Sequence, residues 1–118
     1  MTANVYAKDC PSRQLLDRIG DTWSVLIIAL LVGGALRYTE LAQRIPGISP
    51  KMLTQTLRAL ERDGLVTRTV YPVVPPRVDY ALTTLGGSLL GLVGALQEWA
   101  TEHIGDVIEA RTAYDARE

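Results

Sequence analysis

The sequence predicts a mainly α-helical domain with a small β-hairpin wing: a winged helix-turn-helix, dimerised through its terminal helices. Three observations carry this fold class. Two short helical stretches meet across Pro46, Gly47 and Ile48, and the second opens on Ser49 as N-cap with Pro50 at the first helical position. Beyond Gly64 the period changes from helical to alternating, in two segments rich in Val, Thr and Tyr that flank Pro72, Pro75 and Pro76. A long apolar helical stretch then closes the chain.

Each element follows in order. Ser12 to Ile19 places Leu15, Leu16 and Ile19 at helical spacing, and Gly20 ends it. Asp21 caps a second helix, Thr22 to Val32, which is apolar nearly all round and therefore central; Gly33 and Gly34 stop it. Leu36 to Tyr38 is a short extended piece. Thr39 caps a short helix running through Ile45, with Leu41, Ala42 and Ile45 inward, and Pro46 and Gly47 break it. The helix opened by Ser49 ends at Gly64, about four turns later. Leu65 to Tyr71 and Arg77 to Thr83 are strands, joined by an exposed loop too rich in proline to extend a ladder. Thr83 or Thr84 caps the final helix, Leu85 to Ile104, and a short frayed segment follows. The whole chain, 1–118, is one domain, with 37–83 as core and wing and terminal helices 11–19 and 85–112 for dimerisation.

Composition excludes several classes. With 47% apolar and 21% charged residues, 118 residues suffice for one core without staples. One cysteine and one histidine allow neither an internal disulfide nor a protein-only tetrahedral zinc site, so no metal or cofactor is expected, and a reducing, cytoplasmic setting fits. The longest apolar run, Trp23 to Leu36, falls short of the roughly 20 residues of a membrane span. Asp9, Asp17 and Asp21 stand where a secretory signal would be basic. Neither a phosphate-binding glycine loop nor a nucleophile, histidine and carboxylate in a recognisable order occurs, so no enzyme is expected, and the lone His103 reads as capping or packing.

Charge placement points to a polyanion. Seven basic residues face three acidic ones between Arg37 and Arg77, whereas two face seven from Val78 onward, although the whole chain carries a net charge of −1. On the Ser49 helix Leu53, Leu57 and Leu60 form one stripe. Lys51, Gln55, Arg58 and Arg62 fall opposite, with Thr54 on their flank. Amide and cationic groups on one exposed line suit base edges and phosphates in a major groove of double-stranded DNA. Arg68 and Arg77 lie on opposite arms of the hairpin and extend the basic surface to the wing. The alternative, an assembly module whose basic face meets an acidic partner, would place aromatic anchors on that line, and it has none.

The final helix carries Gly87, Gly91 and Gly94 among Leu89, Leu90, Leu92, Val93, Leu96 and Trp99. Three helical glycines at roughly 1 kcal/mol each need a reason, and close approach of another helix supplies one. An apolar excess beyond one stripe implies a second buried face. Leu15, Leu89, Leu92, Leu96 and Trp99 are therefore the expected homodimer contacts. Packing within the subunit is the other reading of the glycines.

These residues resemble the HxlR-type regulators, a branch of bacterial winged-helix transcription factors close to the MarR type. The likeness runs through Cys10-Pro11, Ile19-Gly20-Asp21, Trp23, Arg37-Tyr38, Glu40-Leu41 and Gly47-Ile48-Ser49. It continues through Lys51 to Gln55, Leu57-Arg58, Asp63 to Val66, Arg68, Tyr71-Pro72, Val74 to Pro76, Tyr80, Leu82-Thr83, Trp99 and His103, about nine-tenths of the chain. It departs at Thr22, where the family usually has Lys, at Asp79 for Glu, and at Gly91 for Pro; the last implies a straighter final helix. The resemblance implies a homodimeric regulator of a palindromic operator, among whose relatives a small electrophile or oxidant often acts through the N-terminal cysteine. Cys10, at the mouth of the first helix with Lys8 and Arg13 near and Asp9 opposing, has a helix N-terminus to favour its thiolate. The other reading, a small packed hydrophobe, stays open.

Overall fold

The structure, a computed structural model, describes residues 4–117. Helix α1 spans Pro11–Gly20 and α2 spans Thr22–Leu30. Asp21 separates them, its carboxylate accepting the Ser24 amide at 3.2 Å. Ser24, Ile27 and Ile28 of α2 are fully enclosed, as its all-round apolar character requires. The last turn tightens into a 3-10 turn over Leu31–Gly33, and Gly34, at φ 119°, reverses the chain.

Strand β1 is Leu36–Arg37 and leads directly into α3, Tyr38–Arg44. Thr39 is not the cap of α3. The Glu40 carboxylate accepts the Arg37 amide at 2.9 Å, which starts the helix earlier, with Arg37 at the capping position. Ala42, expected inward, is exposed, while Leu41 and Ile45 are buried. Helix α4, Pro50–Arg62, has the expected Ser49 cap, whose hydroxyl accepts the Met52 amide at 3.1 Å. Leu53, Leu57 and Leu60 go to the core with Thr56, whose hydroxyl donates to the Met52 carbonyl at 2.8 Å.

Strands β2, Val66–Tyr71, and β3, Arg77–Leu82, complete an antiparallel sheet of order β1-β3-β2. Register pairs Leu36 with Tyr80 and Arg37 with Asp79 on one side, and Arg68 with Tyr80 on the other. Val66 is buried, but every residue from Thr67 to Pro76 is exposed, so the hairpin leaves the body as a wing.

The closing helix is two helices. Helix α5 covers Thr84–Gly87, and α6 covers Leu90–Asp115. The expected single helix from Leu85 breaks because the Ser88 hydroxyl donates to the Leu85 carbonyl and the Leu89 amide turns to Gly86 instead. The break lies ahead of Gly91, so the missing proline does not make one straight rod. The segment expected to fray stays helical to Asp115. Thr83, rather than Thr84, caps α5: its hydroxyl accepts the Gly86 amide at 3.0 Å and donates to the Gly64 carbonyl at 2.6 Å. Gly86 is where the chain approaches itself most closely, its Cα turned against the Leu65 carbonyl.

Helix α6 packs on α2, yet Val93 is its one buried apolar residue. It extends the molecule to 59 × 40 × 25 Å, with a radius of gyration of 17.3 Å. A compact chain of this length would have about 13.5 Å. No helix among the described residues is long and apolar enough to cross a membrane, and no three His, Cys, Asp or Glu side chains among them gather as a metal site.

Candidate nucleic-acid interface

Helix α4 presents Lys51, Gln55, Arg58 and Arg62 to solvent, opposite its buried leucines. Ser49 is spent on its cap. Thr54 is half-buried, and its hydroxyl lies 3.2 Å from the Tyr38 hydroxyl, which also donates to the Pro50 carbonyl at 3.3 Å. Tyr38 thus braces the first two turns of α4 from α3, a role that no spacing in the sequence announced. Arg58 and Arg68 line a shallow groove of about 250 Å3 with Thr54, Glu61 and Tyr80. Helix α4 and the wing therefore share one groove, lined by two arginines and one carboxylate.

The remaining cations stand elsewhere. Arg62 lines a different groove, beside the Arg18–Asp63 ion pair of 3.1 Å, which ties α1 to the end of α4. Arg77 is committed to Asp79: Nε and one terminal nitrogen each donate to the carboxylate at 2.8 Å, and the guanidinium lies 5.1 Å from the centre of the Tyr71 ring. A phosphate contact by Arg77 would compete with these two charge-assisted bonds. Arg68 has no ion pair among the described residues.

The Arg77 hydrogen bonds hold the Asp79 carboxyl below its ordinary value of 3.8, with the nearby Arg37 charge adding to them and burial opposing. A depressed carboxylate pKa contributes stability that is present above 3.8 and lost as pH falls through the folded value. Asp79→Asn is expected to flatten the loss of stability on acidification below that pH, measured by urea unfolding. A slope equal to that of the wild type would show that the pair contributes nothing.

Cys10 occupies the N-cap position of α1 and is half-buried. The Arg13 amide, and after it the Ser12 groups, hold its thiol below the ordinary value of 9.0 against partial desolvation. The Arg13 guanidinium itself donates to the Tyr6 carbonyl at 3.0 Å. Leu15 of α1 and Leu92, Leu96 and Trp99 of α6 are each at least 43% exposed, whereas Leu89 packs against its own core. Trp99 stacks on His103 at 4.7 Å. Side chains at Gly87, Gly91 or Gly94 would meet open space, so packing within the subunit does not account for these glycines.

This geometry can be set beside known proteins. A profile of the HxlR-like helix-turn-helix matches residues 18–107. The HTH-type transcriptional regulator YtfH of Escherichia coli K12, itself uncharacterised, is 44% identical over 108 residues, covering 92% of this chain and 86% of its own. The solved YtfH of Salmonella typhimurium superposes with a TM-score of 0.88 at 41% identity, covering 94% of this chain and 99% of its own. The oxidised form of the redox regulator HypR gives a TM-score of 0.72 at 40% identity, covering 79% and 96%. A three-stranded wing beside a capped helix-turn-helix, matched over most of the chain at this identity, shows that the protein belongs to the HxlR-like helix-turn-helix family of transcriptional regulators.

Proposed function

We propose that this protein binds a palindromic operator in double-stranded DNA as a homodimer, with Lys51, Gln55 and Arg58 of α4 in the major groove and Arg68 of the wing on the backbone. The single observation that carries this reading is the exposed Lys51-Gln55-Arg58 line, opposite the buried leucines and joined by Arg68 in one channel. Arg37, Ser49, Thr54, Arg62 and Arg77 then act at its margins, as struts and outer phosphate contacts. The projecting α6, with Leu92, Leu96 and Trp99 uncovered, and Leu15 of α1 support a second copy as the cover. A DNA target implies a cytoplasmic protein, and regulation by binding requires no catalytic turnover.

The test joins mass and footprint. Light scattering at about micromolar concentration is expected to give twice the chain mass of 12.9 kDa. Footprinting of genomic fragments selected by the protein is expected to show two half-sites about 34–36 Å apart, adjusted if the DNA bends. A monomer that binds DNA with full affinity would refute the reading.

Cys10 is the proposed point of control. With diamide, two Cys10 thiols from facing subunits lose two protons and two electrons, the S–S bond forms, and the azo bond is reduced to a hydrazine. With a quinone, the thiol sulfur bonds to a ring carbon, and the thiol proton and the hydrogen of that carbon end on the two oxygens of the hydroquinone adduct. The likeness to HypR, described as a redox regulator, supports this control, as does the lowered thiol pKa. Alkylation of Cys10 by iodoacetamide is expected to reach half its maximal rate below pH 9.0, the thiol's ordinary value. Cys10→Ser is expected to bind the operator and ignore diamide and quinone. An equal response from both proteins would remove Cys10 from the mechanism.

A further inference from the structure

The sheet carries arginines on both of its faces. Arg68 lies opposite Tyr80 and opens on the groove it shares with Arg58. Arg37 lies opposite Asp79 across the β1–β3 ladder, and Arg77 stands two residues from Asp79 along β3, so these three share the other face. A second groove, of about 600 Å3, is lined by the wing loop 73–76, by segment 37–39 and by Arg77, Val78 and Tyr80. Its loop brings no charge, so Arg37 and Arg77 are the cations it offers. Asp79 is the carboxylate they share. Arg77 donates to it twice at 2.8 Å, and the Asp79 side chain is only 10% exposed against 41% for Arg77. Arg37 is exposed, has no ion pair among the described residues and adds its field to the same carboxylate. The Glu40 carboxylate is engaged by the Arg37 amide.

We propose that Asp79 limits this groove to one DNA phosphate contact, made by Arg37, by holding Arg77 back, and so sets how tightly the protein grips DNA of any sequence. The inference rests on the DNA-binding reading above, but on neither its operator nor its dimer. Two guanidinium groups and one carboxylate leave one net positive charge for one phosphate. A phosphate that took Arg77 would replace an anion already held through two charge-assisted bonds, and would leave Asp79 buried without its partner, so the exchange returns little. Each phosphate that is neutralised releases counterions and strengthens binding to every sequence alike. A regulator competes for its site against a genome of unrelated DNA, and a carboxylate that withholds one arginine keeps this adhesion low.

The test is fluorescence anisotropy of a random-sequence DNA duplex titrated with the full chain from about 50 to 200 mM salt, read as the slope of log K on log salt. Asp79→Asn is expected to steepen the slope by about one, so that its gain in affinity is about threefold larger at the low-salt end than at the high-salt end. Asp79→Glu keeps the charge and is expected to follow the wild type. Arg37→Gln should make the slope shallower by about one, and Arg77→Gln by less than half of that. In the Arg77→Gln background, Asp79→Asn should add less than half of what it adds to the wild type. An unchanged slope in a folded Asp79→Asn protein overturns the inference. Equal steepening with and without Arg77 overturns it as well, since removal of a charge, rather than release of the arginine, would then be the cause. If Asp79→Asn does not fold, the two arginine variants decide, and equal losses from Arg37→Gln and Arg77→Gln overturn the inference. A wild type that leaves the duplex unbound at about 50 mM salt overturns the DNA-binding reading and this inference together, whereas a wild type that binds while its slope ignores Asp79 overturns this inference alone.

Discussion

Replacing Gly86 with alanine is expected to destabilise the protein by about 4 kcal/mol, a large share of the roughly 5–15 kcal/mol that holds a domain of this size together. A Cβ at this position would overlap the Leu65 carbonyl oxygen and lie 2.9 Å from its carbon and 3.2 Å from a Leu82 methyl. None of these can retreat cheaply. The Leu65 carbonyl accepts the Thr83 amide at 3.1 Å, and the Gly64 carbonyl beside it accepts the Thr83 hydroxyl, so one corner of the sheet is pinned by the very groups the methyl would push. Leu65 itself is 3% exposed. Thermal unfolding should therefore fall by about 15 °C, at about 4 °C per kcal/mol for a chain of this length. Gly91→Ala, open on all sides within the subunit, supplies the contrast. There the methyl relieves helical entropy and should raise stability by about 0.5–1 kcal/mol, unless the second copy packs against it. A Gly86→Ala protein that unfolds within about 2 °C of the wild type would show that the corner relaxes at little cost.

Gln55→Ala is expected to cost about 1–3 kcal/mol on the best operator, roughly five- to 150-fold in affinity, and almost nothing on unrelated DNA. The difference arises because a bidentate amide pairs with an adenine edge and with no other, so its loss erases preference rather than adhesion. Gln55 lies between Lys51 and Arg58 on the exposed line of α4, where a side chain that met only solvent would show no such selectivity. Arg68→Ala provides the opposite signature. As a phosphate contact it should weaken all sequences alike and make the dependence of log K on log salt shallower by about one. Arg77→Ala should change that slope less than Arg68→Ala does, because Asp79 already neutralises its guanidinium. Equal losses on operator and random DNA for Gln55→Ala would move this residue from base reading to general adhesion.

What the sequence made legible is local chemistry. Ser49, Pro50 and Gly64 bracket α4 because capping, a preset φ and a left-handed exit at φ 75° are properties of those residues alone. The exposed line of α4 was readable for the same reason, since a helical period needs only spacing. What escaped depends on contacts between residues far apart in the chain. Thr39 looks like a cap until Glu40 reaches back to Arg37. Arg77 looks free until β3 places Asp79 on the same face two residues along. Gly86 resembles its helical neighbours in the sequence, and only the fold shows that it alone lies against another carbonyl. The Tyr38 brace on α4 joins residues 16 apart and left no periodic trace.

The pairing of β1 with β3 also has a consequence for the order in which the chain matures. Leu36 finds its partner 44 residues later, at Tyr80, and a strand of two residues has no independent existence. Helices α2 to α4 leave the ribosome well before that partner does. Until Leu82 emerges, the space that β3 will fill is open, and the buried face of α4 has no sheet to rest on. The helix-turn-helix of a nascent chain is therefore unfinished at the moment its own sequence is complete, and it stays so until the hairpin, and after it α6 with the buried Val93, has followed.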